Sequence, residues 1–281
     1  MTGLLEADLE LLRCPVSGQP LRFSGSKRGD VLHNGRLHSE TGPAWRIRDG
    51  VFELFATANL TPRERAVDKI YDLIAPTHDV AVEKLLPLLE WPTESVSRQT
   101  YIDSMNLDAL ASGASILEIG CGSGANLPLV AAANRDLNYW AVDINQRMLN
   151  RCIANHGEHF IAPIKAGFAD AHALPFADNV FDRVFHVGGI NGYRNPAQGL
   201  AEMARVAKPQ APIVVVDEAL DRERKNSVLH ELVFLSLTFF DEIRCAPVAM
   251  LPAGTTLIEL KPLSRYYYCM SFQKDVEHTG R

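Results

Sequence analysis

Apolar residues in this chain change their spacing several times, and each change marks an element. Short runs at Ser115–Ile119, Asn138–Val142, Pro163–Gly167, Val180–His186 and Ile213–Val216 are apolar with little alternation, as strands covered on both faces are. Between them, Ala125–Asn134, Gln146–His156 and Pro196–Ala207 repeat apolar residues at helical spacing. Upstream, Thr61 is placed to cap a helix that has Pro62 in its first turn and Ala66, Val67, Ile70, Leu73 and Ile74 on one face, with Pro76 ending it. Further helices are expected over Val80–Glu90 and Thr93–Ala111. Strands alternating with helices of this length specify a doubly wound parallel sheet. The last two strands, Thr255–Leu260 and Ser264–Phe272, are separated only by Lys261-Pro262-Leu263, so the chain ends on an antiparallel hairpin. The expected fold is α/β and Rossmann-like, with that hairpin supplying the final strand.

Residues 1–57 read differently. Short β-like runs are punctuated by Ser24-Gly25-Ser26, Asn34-Gly35 and Asp49-Gly50, which predicts a small β-rich module ahead of a main domain over 58–281. The apolar run Val228–Phe240, broken by His230, Glu231, Ser236 and Thr238, reads as a helix inserted after the fifth strand. As a substrate cover, a core helix or a homodimer contact, it fits equally.

Composition narrows the function classes. A chain of 281 residues, 47% hydrophobic, is long enough for one full α/β domain and an appendage. A net charge of −6 argues against a surface built to neutralise phosphates, hence against nucleic acid as the partner. No charged-then-apolar leader opens the chain and no run is apolar enough to span a membrane. The widely spaced cysteines, odd in number at 5, fit free thiols in a reducing cytoplasm.

The candidate chemistry begins at Leu117-Glu-Ile-Gly-Cys-Gly-Ser-Gly124, a strand running into alternate glycines, with Asp143 closing the next strand. Such a turn lets backbone N–H groups approach an adenosine-containing cofactor, and a carboxylate at the second strand's end can accept both ribose hydroxyls. The pattern also satisfies a dinucleotide fingerprint through Gly120, Gly122 and Ala125. Glu118, the third glycine Gly124, the terminal hairpin and the stretch Phe168-Ala-Asp-Ala-His-Ala-Leu-Pro-Phe-Ala-Asp-Asn-Val-Phe-Asp-Arg-Val-Phe185 decide between the two. Together they resemble class I S-adenosylmethionine (SAM) methyltransferases, in the group that includes the ubiquinone and menaquinone biosynthesis C-methyltransferases, over roughly residues 64–272.

The resemblance implies SAM as cofactor, with S-adenosylhomocysteine as product, and a cofactor site made by Glu118, Gly120, Cys121, Gly122, Gly124, Asp143, Ile144, Ala169, Asp170, Ala171 and His186. Within it, Glu118 takes the methionine ammonium directly or through water, Asp170 accepts the adenine amino group, and Ala169 and Ala171 lend backbone contacts. Each acid also has a purely structural reading, as a cap. Cys121 reads as a packing residue. The stretch Tyr71-Asp-Leu-Ile-Ala-Pro-Thr-His78 resembles the tyrosine-bearing segment that folds over the cofactor, which makes Tyr71 a lid candidate and His78 an acid/base candidate. At the fourth strand's end, His186 is either a general base or a buried cofactor contact, while Asn191 and Tyr193 line the acceptor pocket.

In the front module, Leu11-Leu-Arg-Cys-Pro-Val-Ser17-Gly, Leu37-His-Ser-Glu-Thr41-Gly and Trp45-Arg-Ile-Arg-Asp-Gly50 resemble a small zinc ribbon found as a methyltransferase partner and as an N-terminal extension. Only Cys14 of the expected ligands is present; Ser17, His38 and Thr41 stand at the others, and hydroxyls are poor zinc ligands, so no metal is expected. The module reads as a lid, a dimer contact or an appendage. The expected activity is methyl transfer to a small organic acceptor in a biosynthetic pathway. A ribosomal-RNA methyltransferase with a ribbon domain and a SAM-binding, non-methylating scaffold are the alternatives.

Overall fold

The computed structural model describes residues 3–55, 60–66, 69, 98–156, 159–238 and 241–276. Tyr71 and His78, and the helix expected over 80–90, lie outside the described residues.

The front module contributes β1 (Leu4–Leu5), β2 (Arg22–Arg28), β3 (Val31–His38), β4 (Trp45–Arg48) and β5 (Val51–Glu53). A short helix α1 (Arg98–Asp103) precedes β6 (Ser115–Ile119), α2 (Leu127–Ala133), β7 (Asn138–Asp143), α3 (Gln146–His156) and β8 (Lys165–Phe168). Then follow β9 (Arg183–Val187), α4 (Pro196–Val206), β10 (Pro212–Glu218), α5 (Val228–Leu237), β11 (Thr255–Pro262) and β12 (Tyr267–Lys274). The strand order is β1-β3-β4-β5-β8-β7-β6-β9-β10-β12-β11, with β2 paired to β3. The β8-to-β10 strands run parallel, and β12 lies antiparallel between β10 and β11. Strand order reverses at β6, whose neighbours are β7 and β9, so the crevice for a ligand opens at its carboxyl end.

The expected strands are found with shifted ends. The fourth starts later than expected, at Arg183, because Asn179 takes a left-handed φ of 59° and Phe181 bridges singly to Ala207. The helix expected over 93–111 is shorter among the described residues: Asn106, left-handed at φ 49°, separates α1 from a 3-10 turn at Leu107–Ala109. Upstream, the predicted cap forms. Thr61 N–H donates to Glu64 Oε2 at 2.7 Å while Glu64 N–H donates back to Thr61 Oγ1 at 3.2 Å, and residues 62–66 are helical.

The front module extends the sheet at the β8 edge. Phe52 pairs with Gly167 and Glu53 with Phe168, in parallel, and Arg13 N–H donates to Pro175 O. Gly167 is glycine for want of room, since a Cβ there would stand 1.8 Å from the Phe52 ring. That ring joins a buried aromatic cluster: Trp140 meets Phe52 at 6.3 Å, Phe176 at 5.4 Å and Phe181 at 6.1 Å, in tilted to edge-on contacts. Lys165, also buried, lies over Trp140 and donates to Asn138 Oδ1, with Asp8 of the front module 3.9 Å away. At the positions matched to zinc ligands, Cys14 Sγ accepts from the Trp45 indole at 3.4 Å, Ser17 Oγ meets Ser39 Oγ, and Thr41 Oγ1 donates to Gln19. Hydrogen bonds and core packing hold this loop. No helix among the described residues is long and apolar enough to cross a membrane.

Truncating the ring that joins module and sheet, Phe52→Ala, is expected to lower stability by about 3–5 kcal/mol, as for other buried Phe→Ala changes. Urea unfolding checks it; a loss under about 1 kcal/mol would mean that the module docks independently of this contact.

Candidate active site

The site is assembled from strand ends, so its parts are neighbours because β8, β7, β6 and β9 are neighbours. Gly120, Gly122 and Gly124 take φ values of 67°, 55° and 86°, a left-handed backbone that a side chain would strain. At Gly120 a second constraint applies: a Cβ would stand 3.1 Å from His186 Cε1. The turn is pinned to β7, since Gly120 and Cys121 N–H donate to Val142 O and Gly122 N–H donates to Asp143 Oδ2 at 2.7 Å. Asp143 Oδ1 accepts from Asn145 N–H at 2.7 Å. The carboxylate expected to hold a ribose therefore also shapes the glycine loop. Ile144 follows it half-buried, and the Ala169 N–H is taken by Asp143 O.

Glu118, in β6, is buried, and both its oxygens have protein partners. Asn126, in the turn before α2, donates to Oε1 at 2.6 Å, and the Tyr139 hydroxyl of β7 donates to Oε2. Asn126 Oδ1 in turn accepts from the Tyr101 hydroxyl at 2.7 Å and from Arg98 at 3.2 Å. Burial pushes the Glu118 carboxyl up to about 7, against the hydrogen bonds from Tyr139 and Asn126. Reach to a methionine ammonium would use its remaining lone pairs, a job it shares with a structural one. Cys121 bonds the buried Cys152 thiol, and this bond, with burial, raises its pKa well above the usual range. The thiol is thus a packing group, leaving the backbone as the part that could face a ligand.

Asp170 forms a turn rather than standing free. Its Oδ1 accepts from His172 N–H at 2.9 Å and His172 Nδ1–H at 2.7 Å, and its Oδ2 accepts from Arg194 at 2.5 Å. Burial raises the carboxyl pKa, but these partners outweigh it and hold the group at about 2. Of roughly four acceptor positions on a carboxylate, one on Oδ2 is left for an adenine amino group. Half-buried Ala171 is the next residue of the turn.

His186 is buried, and its Nδ1–H donates to Ile119 O at 2.7 Å. That bond places the proton on Nδ1 and leaves the Nε2 lone pair without a partner among the described residues, 3.8 Å from where a Cβ on Gly189 would stand. Burial lowers the pKa, so the ring is neutral at pH 7, although the field of Asp217 and the bond to Ile119 oppose the shift. Tyr193 stacks obliquely on it at 5.2 Å and on His172 at 5.0 Å. The turn that carries Asn191 is held by Asp217, whose Oδ2 accepts from Gly189 N–H and Asn191 N–H at 3.2 and 2.8 Å.

Tertiary structure thus gathers Glu118, the glycine turn, Asp143, Asp170, His186 and Tyr193, and it adds Asn126, Tyr139, His172, Arg194 and Asp217, which sequence reasoning missed. Asn126 stands two residues after Gly124 and Arg194 directly follows Tyr193, the only local signals for them.

The Methyltransferase domain family matches residues 117–215, the segment holding all of these strand ends. A ubiquinone/menaquinone biosynthesis C-methyltransferase of Geotalea uraniireducens is 28% identical over 184 residues, 63% of this chain and 74% of that protein. A demethylmenaquinone methyltransferase of Renibacterium salmoninarum is 31% identical over 162 residues, 57% of this chain and 62% of that protein. Among solved structures, the [4+2]-cyclase SpnF superposes with a TM-score of 0.56 at 17% identity, covering 77% of this chain and 97% of that one. A Haloferax volcanii complex of the Trm112 methyltransferase activator and a candidate methyltransferase gives 0.55 at 15% identity, with 76% of this chain and 100% of that one covered. The structural likenesses speak to fold alone.

Because Glu118 keeps a proton in the folded protein that an unfolded chain releases from about pH 4.5 upward, stability should fall as pH rises from there to about 7, and stay lowered above it. At about 1.4 kcal/mol per pH unit the loss is on the order of 3 kcal/mol. Glu118→Gln should flatten that part of the profile, measured by urea melts at about pH 5 and about pH 8; an unaltered slope would place its source elsewhere.

Proposed function

We propose that this chain, a class I SAM-dependent methyltransferase, methylates a small organic acceptor of a biosynthetic pathway in the crevice beyond β6 and β9. The observation that carries this reading is the pairing of the glycine turn with His186: the backbone suited to an adenosine cofactor touches a buried imidazole with a nitrogen that is unpartnered among the described residues. The cofactor, when bound, supplies an already activated sulfonium methyl group, open to in-line displacement by a nucleophile.

The residues then have four tasks. The turn at Gly120–Gly124 and Asp143 bind the ribose and amino-acid portions, with Glu118 behind them. Asp170, held by His172 and Arg194, receives the adenine edge. Tyr193, Asn191 and the Gly188-Gly189 turn bound the acceptor and exclude water, which is most of what alignment of two reactants requires. His186 Nε2 takes a proton from an acceptor whose nucleophilic atom carries one, and its proton on Nδ1 stays with Ile119 O. The residues thereby favour an acceptor presented to β9, and a reducing cytoplasm suits an enzyme in which Cys14, Cys121, Cys152, Cys245 and Cys269 are all free.

The quinone-pathway names of the similar curated proteins support a small, ring-containing acceptor. The likeness to a [4+2]-cyclase is a reminder that this scaffold also hosts other chemistry.

Incubating the protein with SAM labelled in its methyl group and a cell extract should transfer label to a small metabolite. Label in RNA, or SAM binding with no transfer, would overturn the reading in favour of a ribosomal-RNA enzyme or a non-methylating scaffold respectively. With a proton-bearing acceptor, His186→Ala is expected to lower kcat by about 10²–10⁴-fold and leave SAM affinity within about threefold. A fall in SAM affinity with unchanged kcat would instead make the ring a cofactor contact.

A further inference from the structure

Arg194 joins two segments that nothing in their sequences links. One N–H of its guanidinium donates to Asp170 Oδ2 at 2.5 Å, in the turn after β8, and another donates to Glu64 Oε1 at 2.7 Å, in the helical residues 62–66. Both acids are largely buried, and neither is free to move independently. Glu64 is fixed by the reciprocal bonds with Thr61, and Asp170 by two donors from His172. The guanidinium's backbone is equally constrained. Tyr193, just before it, packs between His172 and His186, and a Cβ on Gly199 would collide with that ring at 2.8 Å. Asn195, just after it, donates its N–H to His172 Nε2 and accepts from Gln198 N–H to cap α4. The planar fork is thus held in place to bridge two carboxylates, a geometry that a flexible ammonium would not reproduce.

We propose that Arg194 is a positioning residue that couples adenine binding at Asp170 to the seating of the helix at 62–66. This rests on the reading of the site as a SAM site. Arg194 and His172 hold the Asp170 carboxylate so that one acceptor position on Oδ2 faces outward for an exocyclic amino group. Through the same guanidinium the helix start is tied to the adenine side. A ligand that orders Asp170 then orders Glu64, and by linkage the seated helix strengthens the ligand. An exposed ion pair contributes little to stability. Here the bridge is partly buried and anchored at each end, and its effect is read in binding.

The test uses the full chain, with S-adenosylhomocysteine and its inosyl analogue, in which an oxo group replaces the adenine amino group, as probes. Calorimetry gives the affinities and hydrogen exchange reads the amides of 61–66. The wild type should prefer the adenosyl ligand by about tenfold and gain protection at 61–66 when it binds. Arg194→Gln should weaken the adenosyl ligand by about tenfold, collapse the preference to about twofold and abolish the ligand-linked protection. Arg194→Lys should recover part of the affinity. Glu64→Gln, which leaves the Arg194–Asp170 contact in place, should keep the preference and lose the protection, and it serves if Arg194→Gln does not fold. Wild-type affinity and preference in Arg194→Gln, or ligand-linked protection retained in Glu64→Gln, would overturn the coupling while leaving the SAM site intact. A wild type that binds neither probe would overturn the SAM reading along with it.

Discussion

A carboxyl group buried in the sheet governs the arrangement of the site. Glu118 sits at the end of the central strand, where a charge would be costly, and the fold answers with Tyr139 from the neighbouring strand and Asn126 from the turn that follows the glycines. Asn126 then draws in Tyr101 and Arg98 from α1. The start of α2, the path of the glycine turn and the position of α1 are therefore set relative to one buried group. A half-satisfied network would be worse than an apolar core, which is why these partners come as a set. Beyond the network the glycine turn has little freedom left, being bonded to Val142 O and Asp143 on one side and packed on His186 on the other.

At the β8 edge of the sheet, contacts of the same kind fix the front segment. Its last strand covers what would be an open edge at β8, and edges left open invite unwanted pairing. Its buried residues join the main core, with Phe52 among Trp140, Phe176 and Phe181 and Leu12 at the Phe176 bridge. Only β8 stands between β5 and β7, the strand that ends in Asp143.

Much of this was legible beforehand. The parallel strands announced themselves because a strand buried on both faces must be apolar throughout, and the terminal hairpin because two strands stood three residues apart. Strand and helix ends were read less well: Asn106 and Asn179 adopt left-handed backbone that their neighbours' apolar pattern does not betray. Glu118, Asp143 and Asp170 were singled out as candidate site acids by their places at or near strand ends and by the family resemblance. Their partners were not, since Asn126, Tyr139, His172 and Arg194 are ordinary polar or aromatic residues until the strand order places them.

What the sequence by itself determined was local or periodic: the alternation of strands and helices, the glycines that a left-handed turn demands, and an acid at each of three strand ends. These follow from backbone sterics and from burial, which act within a few residues. What only the tertiary structure decided was which donors satisfy those acids, how the front strand docks, and that one guanidinium bridges Glu64 and Asp170. Such contacts depend on strand order and on the exact path of loops. Many pairings of donors and acids are chemically equivalent in the sequence, and only the packed fold selects among them.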